Sequence, residues 1–440
     1  MAKQNFLSRL DGWINILTNL GIRGKDKRIV AQIEEQYLDQ QTLEGLYQSD
    51  EMAARIVDRI PEEMVREGFK ISVDEDDDES SIADTLMSRI EAMGIEDKTE
   101  EALKWSRLYG GAALVIGEKD ADPEAEIDLT KFKGLEYIAV LDRFQLQADS
   151  QGLVKDVSHP GFGLPEFYTI QGQEAEGIAR LHASRLIRFE GVKMPRSKRA
   201  RVDYWGDSVL NRLWNPIRNY ATAHDSAATI IHDFTQGVFK LAGLTEMLSE
   251  GKDGERVVQE RLAIVARMSS IVNGIILEEG EDYERKTTNV SGLPDMINLI
   301  TRRLVAATDM PHTVLLGESP SGLGATGDSE KNDWADHIKN KQESILRPAY
   351  RRIIDILMSE KEGPTKGKIV NYTIDFNPLF QMDEKEKIEI RRIQAEIDEK
   401  YINAGVLDPD EVATNRFNGG FSTETLIDLE AREAMKNGDT

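Results

Sequence analysis

Residues 292–348 read GLPDMINLITRRLVAATDMPHTVLLGESPSGLGATGDSEKNDWADHIKNKQESILRP. An apolar helix pattern stops at Pro311, the apolar tetrad TVLL follows, and a loop rich in Gly and Ser leads into a long amphipathic helix. Pro348 lies inside that helix, where a proline removes a backbone hydrogen bond, so we predict a kink at 346–348. The order predicts a mobile loop held between two rigid helices, and no metal, nucleophile or phosphate site accounts for it.

A small insert between two helical stretches precedes this loop. The pattern predicts one short helix before Pro216 and a second from Pro216 to about residue 234, since proline suits a first helical turn. Strand and helix patterns fill 237–290, and another helix follows at 291–310. Its apolar residues recur at helical spacing and predict one buried face: Met296, Ile297, Ile300, Leu304 and Ala307. Two long helices around a small domain suit a stalk with a head at its tip.

The flanking regions predict an α/β or α+β domain before the stalk and a helical region after it. Residues 1–70 read as helical, with Pro61 dividing two short helices, and two further helices break at Gly94. A short buried-strand pattern, AALVIG, follows at 112–117, and strand patterns fill 135–190 without a βαβ period. A strand at 367–377 is placed to return to the N-terminal sheet, and the chain then reads as helical to its end.

The composition is that of an acidic globular protein. The 440 residues carry 79 acidic and 55 basic side chains, a net charge of -24, and no cysteine, which excludes disulfides and thiolate chemistry. Nucleic-acid binding draws on Lys and Arg, so this surface is not expected to bind nucleic acid tightly. The charge is compatible with letting a polyanion pass without sticking, but taken alone it favours simple solubility. The run 74–79 is wholly acidic and predicts a solvated loop. Neither a signal peptide nor a membrane span is predicted.

One basic segment, KMPRSKRAR at 193–201, stands out against this charge. Its five cations are Lys193, Arg196, Lys198, Arg199 and Arg201. A phosphate-contacting loop and a salt-bridge loop between subunits are both consistent with it, because an acidic chain that self-assembles needs a positive surface to meet its neighbour.

Enzyme signatures are missing. The six histidines form no HExxH pattern; His224 and His232, eight residues apart on one predicted helix, suit packing or an interface better than a metal. GLGATG at 322–327 matches a dinucleotide pattern only as bare letters, because neither a strand nor a βαβ unit surrounds it. We therefore predict no catalytic residues, no metal site and no cofactor.

Four stretches in this order resemble the phage portal proteins, which form the ring through which DNA enters and leaves a viral head. They are KWSRLYGGAALVIG (104–117), HASRLIRFEG (182–191), YWGDSVLNRLWNPIRNY (204–220), and Pro311 to Glu330 with its VLLGESPSGLGATGDSE signature followed by Gln342 and 346–348. The resemblance covers nearly the whole chain. It implies a mainly helical α+β portal fold with wing, stem, clip and crown that assembles into a ring.

The resemblance also assigns the parts of the chain. The wing is 1–206, the stem helices are 207–236 and 291–310, and the clip is 237–290. The tunnel loop is 311–328, the long kinked helix and return strand to the wing are 329–378, and the crown is 379–440. The implied tunnel-loop residues facing DNA are Gly317, Ser319, Ser321, Gly322, Gly324, Thr326 and Gly327. The implied clip residues that dock the terminase or adaptor are Lys252, Arg256, Arg261, Glu279 and Asp282.

Further cations are expected to touch DNA or pair across subunits: Arg302, Arg303, Lys331 and Lys341, with the five of the basic segment. The partners implied by the resemblance are other copies in a ring of about twelve, the major capsid protein, a scaffold, the terminase large subunit, a head–tail adaptor and double-stranded DNA bound non-specifically. No membrane partner is implied. The expected location is the portal vertex of the virion, after synthesis in the host bacterial cytoplasm.

Three other classes of protein remain open from the residues alone. Another minor head or tail-completion protein would not need the stem–clip–stem order. A nuclease that uses the acidic clusters would cleave DNA with divalent metal. A soluble acidic scaffold would bind only protein.

Overall fold

The computed structural model describes a definite part of the chain. The described residues are 37–73, 79–149, 152–159, 161–171, 180–232, 235–240, 282–287, 291–317, 328–379 and 384–406, with the single residues 256, 259, 260, 263, 409 and 412. The chain divides into two compact units, Met1–Phe376 and Asn377–Thr440. In the described residues, no helix combines the length and the apolar character needed to cross a bilayer.

The described N-terminal region begins with capped helices. Helix α1 spans Gln40–Ser49 and α2 spans Glu51–Val65; the carboxylates of Asp39 and Asp50 accept hydrogen bonds from the first turn of each. Strand β1 follows, and then two helices that break at Gly94 as predicted. These elements are β1 (Phe69–Val73), α3 (Glu79–Ala92) and α4 (Ile95–Tyr109).

The predicted break at Pro61 is wrong, because α2 runs through this proline. A proline inside a helix leaves the carbonyl four residues earlier without its N–H partner. Here that carbonyl belongs to Val57, and the guanidinium of Arg107 on α4 donates to it at 3.0 Å and to the carbonyl of Ile56 at 2.6 Å. The side chain of a neighbouring helix therefore satisfies the group that the proline exposes.

Antiparallel sheets form the β part of the first unit. One sheet has the order β3-β2-β7, a second β4-β5-β6, and a pair joins β1 to the late strand β10. The predicted return strand at 367–377 therefore pairs with β1 in the N-terminal region, not with the central sheet. The strands are β2 (Gly111–Glu118), β3 (Leu135–Asp142), β4 (Leu146–Ala148), β5 (Phe167–Ile170), β6 (Arg180–His182), β7 (Leu186–Glu190) and β10 (Tyr372–Phe376).

The core of these sheets is a continuous apolar cluster. Trp205 and Tyr168 lie 5.7 Å apart between ring centroids and are almost fully buried. They pack with residues of both three-stranded sheets: Ala113, Val115, Leu146, Leu181 and Leu186. On the β1–β10 side, Phe69 stacks on Tyr350 at 4.4 Å. The alternating burial along β1 matches a strand with one face on the core.

The stalk region follows a short 3-10 segment, Arg196–Val202. Its elements are α5 (Val209–His232), β8 (Thr235–Lys240), β9 (Asp282–Thr287) and α6 (Leu293–Thr308), with β8 and β9 paired antiparallel. The predicted division at Pro216 is wrong, since α5 is one helix. Leu210, Leu213 and Ile217 are buried at helical spacing on both sides of the proline, and this continuous apolar face holds the two halves in one helix.

The predicted buried face of α6 is wrong in part. Leu304 is buried, but Met296 is 65% exposed and Ala307 is also exposed. The buried face of α6 instead consists of Leu304 with Thr301 and Thr308. Apolar spacing alone placed Met296 and Ala307 inside, because it cannot tell a face that packs within the chain from one left for another surface.

The segment after α6 forms the long helix predicted from the sequence. Helix α7 (His312–Leu316) lies inside the range 311–328 that is predicted as the tunnel loop, and α8 (Asp328–Lys341) begins at its end. A π-helical turn covers Gln342–Leu346, and α9 spans Arg347–Ser359. Pro348 stands in the first turn of α9. The π turn is a local widening of the helix directly before the proline. The second unit contains α10 (Glu384–Asn403), with Gly405 in the left-handed region after it.

A junction of glycines ties the wing sheet to the start of α5. The Gly110 carbonyl accepts backbone hydrogen bonds from Gly191 at 2.9 Å and Gly206 at 3.0 Å. A Cβ on Gly191 would lie 2.5 Å from the carbonyl oxygens of Ser106 and Asp207. Backbone occupies the space of a side chain here, so these positions admit only glycine.

We expect Gly191→Ala to destabilise the protein by about 1–3 kcal/mol or more, because backbone atoms must move to admit a methyl group. Gly45→Ala is the matched control: Gly45 is exposed in α1, nothing lies within 4 Å of its Cβ position, and alanine there should stabilise by about 0.5–1 kcal/mol. Urea unfolding of both variants measures the difference. Equal stabilities would refute the junction.

Candidate functional site

Both described ends of the predicted tunnel loop are tied to the body of the chain. Arg55 on α2 donates to the carbonyl of Val314 in α7 through Nε at 3.2 Å and through NH2 at 3.0 Å. The Thr313 hydroxyl donates to the Glu330 carboxylate on α8 at 3.4 Å. Leu315 is fully buried beneath these contacts. Helix α7 is therefore a fixed anchor for the loop that leaves it.

The loop begins at a glycine that reverses the chain. Gly317 has φ +75° and its N–H bonds to the Thr313 carbonyl, which closes α7 in the left-handed conformation that favours glycine. The other predicted tunnel-loop residues lie outside the described residues: Ser319, Ser321, Gly322, Gly324, Thr326 and Gly327.

The basic segment is partly engaged within its own chain. The Arg196 guanidinium lies 5.1 Å from the Phe162 ring centroid, and that of Arg201 lies 4.6 Å from the ring centroid of Tyr37. Such cation–π contacts hold guanidinium groups against the surface. Of the other three cations of the segment, Lys193 and Lys198 are exposed and Arg199 is half-buried. Contact with phosphate and contact between subunits both remain predictions.

The remaining predicted cations occupy different settings. Arg302 and Arg303 are exposed on α6, Lys331 is exposed on α8, and Lys341 is partly buried. In the predicted clip, Arg256 pairs with Glu260 at 3.6 Å. Asp282 lies opposite Lys240 at one end of the β8–β9 pair. Lys252, Arg261 and Glu279 lie outside the described residues.

A charged cluster without a local sequence signal lies where α4, α6 and α8 meet. Burial lowers the pKa of Arg107 to about 10, and Asp309 at the end of α6 is among the carboxylates that favour its charge. Burial, then the nearby Arg107, lowers the pKa of Lys341. Burial, then Lys341, lowers the pKa of His337, whose Nε2 is buried without a hydrogen-bond partner in the described structure. Only the tertiary fold brings these residues together.

The described residues give no support to metal chemistry. Across the described ranges, no group of three His, Asp or Glu side chains is arranged to hold an ion. His224 packs its ring 4.4 Å from that of Tyr220 on α5, and the side chain of His232 lies outside the described part. The arrangement that the structure describes is one of anchors, helices and cations.

The fold is a mainly helical α+β fold in which paired long helices hold a small β insert, as predicted from the sequence. A family model described as phage portal protein matches residues 41–400. The chain belongs to the phage portal protein family, and the predicted portal fold is confirmed.

Individual relatives are more distant. The chain is 30% identical over 425 residues to a protein of Sphingomonas paeninsulae named anti-CBASS protein Acb1, covering 93% of this chain and 65% of that protein. It thus spans slightly less than two thirds of this relative's length. It is 26% identical to an uncharacterized protein of Haemophilus influenzae, covering 98% of this chain and 94% of that protein.

A solved structure has the same fold. A chain in the neck of an empty gene transfer agent particle matches with a TM-score of 0.51 at 14% identity, covering 87% of this chain and 95% of that chain. At this level of identity the likeness extends to the fold.

The cluster predicts a pH effect on stability. Because the pKa of His337 is lowered in the folded protein, the unfolded chain binds a proton near pH 6.5 that the folded chain does not. The His337 contribution is therefore complete above this pH and is lost as the pH falls below it. Lys341, Arg107 and Asp309 are the charged groups around the ring.

We expect the melting temperature of His337→Gln to fall less than that of the unchanged protein when the pH is lowered from 7.5 to 5.5. Thermal unfolding at fixed salt concentration measures this difference. His224→Gln, at an exposed position of α5, is the control and should retain the full loss. A His337→Gln curve parallel to that of the unchanged protein would contradict the prediction.

Proposed function

We propose that this chain forms a ring of about twelve copies at one vertex of a phage capsid, with a central channel for packaging and ejecting double-stranded DNA. The observation that carries the proposal is the family match over residues 41–400. In this role the clip, 237–290, docks the terminase large subunit and later the head–tail adaptor. The wing contacts the major capsid protein, with a scaffold assisting assembly, after synthesis in the bacterial cytoplasm.

The uncovered face of α6 supports assembly into a ring. Met296 is 65% and Leu299 71% exposed, and both stand with exposed Arg303 and Ala306 on one side of the helix. The opposite side, with Leu304, packs within the chain. Burying a large apolar side chain contributes about 1.5–3 kcal/mol, so a neighbouring copy that covers this stripe would gain stability. A stem helix between two subunits has two apolar faces for this reason.

Charge supports passage of DNA without tight binding. A ring of chains with a net charge of -24 each repels phosphates near its surface, and salt screens this repulsion over about 8 Å at physiological ionic strength. Arg302, Arg303 and Lys331 are exposed cations on the stem and α8. Their two proposed roles are brief contact with the DNA backbone and pairing between subunits, and we favour the second.

We propose that the chain conducts DNA and catalyses no reaction. The second candidate function is an anti-CBASS role, because the relative named anti-CBASS protein Acb1 matches 93% of this chain. This chain spans 65% of that relative, so the likeness alone does not assign the relative's named activity to the shared region. The family match over 41–400 favours the portal role for the shared region.

Breaking the α6 stripe should prevent ring formation. Met296→Asp with Leu299→Asp places two carboxylates where the proposed neighbour packs. We expect loss of rings in negative-stain electron microscopy and a shift in mass photometry from about twelve chain masses to monomers. Circular dichroism should stay unchanged, since both side chains are exposed.

Asn298→Asp is the matched control, because Asn298 is exposed on the same helix away from the stripe. Its rings should persist. Rings that tolerate both stripe substitutions would count against the assigned interface, and an unmodified protein that never forms rings, even with scaffold, would count against the portal role.

The tunnel loop should be needed for DNA movement and not for assembly. Replacing 319–327 by a short linker should leave rings intact, because the α7 anchor at Arg55 and Thr313 lies outside the deletion. Packaging of DNA into capsids that carry these rings should fail in a nuclease-protection assay. Normal packaging by such rings would refute a role for the loop.

A further inference from the structure

A large cleft lies in the first unit where the wing meets the end of α6. Its volume is about 1120 Å³, and α2, α4, β7, the start of α5 and the α8–α9 helix line it. Apolar residues such as Met64, Leu103, Phe189 and Leu213 contribute to its walls. The volume exceeds the roughly 300–1,000 Å³ of typical small-molecule pockets. A segment of a macromolecule therefore fits this cleft better than a small ligand.

The cleft carries an excess of positive charge. Six basic residues line it against the two carboxylates of Glu190 and Asp309. The six are Arg107, Arg188, Lys193, Arg212, Lys341 and Arg352. Arg188 pairs with Glu190 at 3.4 Å. In the described part of the chain, no carboxylate forms an ion pair with Lys193, Arg212, Lys341 or Arg352. A chain with net charge -24 thus collects unpaired cations in one place.

Partial burial makes these cations costly without a partner. Lys341 and Arg352 are partly buried, and a charge removed from water gains stability when an opposite charge meets it. Burial already disfavours the charged form of Lys341, lowering its pKa. The occupant that would relieve this cost is acidic.

A loop of the same chain has the complementary character. The segment 120–128 follows β2 and exposes carboxylates, of which Asp120, Asp122 and Glu126 form no ion pair with any described residue. It is fixed to its own wing: Ile127 is buried and its N–H bonds to the Ser184 hydroxyl at 2.9 Å. Among the described residues, no ion pair joins this loop to the cleft cations within one chain. The loop is a rigid acidic surface available to a second copy.

We propose that the cleft receives the acidic 120–128 loop of a neighbouring copy, so that each subunit gives a loop to one neighbour and takes a loop from the other. The inference rests on the ring proposed above and names a contact that closes it. A head-to-tail contact of this kind repeats around a ring without pairing identical surfaces. A nucleic acid is the weaker occupant, because the rest of the chain repels phosphate.

The absence of cysteine allows a direct proximity test in the full chain. Arg352→Cys and Asp122→Cys are purified separately, mixed, and treated with a short bismaleimide. We expect a cross-linked dimer on denaturing gels only in the mixture, because the two thiols meet between different copies. Arg352→Cys mixed with Glu362→Cys, an exposed acidic position elsewhere, is the control and should give no more product than either variant alone.

A charge exchange tests whether the contact stabilises assembly. Arg212→Glu with Arg352→Glu should lower the ring fraction in mass photometry about tenfold or more, since like charges then face each other. Adding Asp122→Lys with Glu126→Lys should restore it. A variant that fails to fold could not be rescued in this way. Circular dichroism of each variant therefore distinguishes loss of folding from loss of the contact.

Three results would overturn the inference. Rings that form while the mixed cysteine variants give no excess dimer would refute the loop contact and leave the ring proposal standing. A chain that forms no rings under any condition would refute both. Cleft variants that keep their rings but lose retention of a DNA duplex would assign the cleft to phosphate instead.

Discussion

The fold depends on one carbonyl oxygen that accepts two backbone hydrogen bonds. The Gly110 carbonyl, at the turn from α4 into β2, receives the N–H groups of Gly191 after β7 and Gly206 before α5. Three chain segments cross here with no side chain between them, and Arg143 adds a hydrogen bond to the Gly206 carbonyl at 3.3 Å. Helix α5 begins shortly after Gly206, so its direction relative to the sheet follows from the junction.

The same junction explains why the resemblance lies in separated stretches of sequence. The motifs SRLYGG, SRLIRFEG and YWGDS are far apart along the chain, but their glycines meet in the fold. Trp205 beside them covers Gly111, where an added Cβ would lie 2.6 Å from its ring. In the sequence these motifs are recognisable only as family features. Their physical cause in the fold is the close packing of backbone against backbone and against the Trp205 ring.

Local pattern predicted the elements well and their interruptions poorly. The break at Gly94, the strands of the central sheet and the long helix after the loop follow from turn residues and periodicity. The helix break predicted at Pro61 was wrong because Arg107, which is distant in sequence, bonds to the carbonyl that the proline leaves without a partner. The prediction for α6 was wrong in part because apolar spacing does not distinguish the side that packs within the chain, with Leu304, from the exposed side with Met296 and Leu299. The Arg107–His337–Lys341 cluster has no local signal, because its members come from helices that are far apart along the chain.

The two arginines that reach across helices connect the glycine junction to the loop. Arg107, in the last turn of α4 before Gly110, donates hydrogen bonds to two carbonyls of α2 in the turn before Pro61. Arg55 on the same α2 donates to a carbonyl of α7. Helix α2 thus bonds to α4 through Arg107 and to α7 through Arg55. Because α4 ends at Gly110, the helix that enters the glycine junction also supports α2 and, through it, the α7 segment that precedes Gly317.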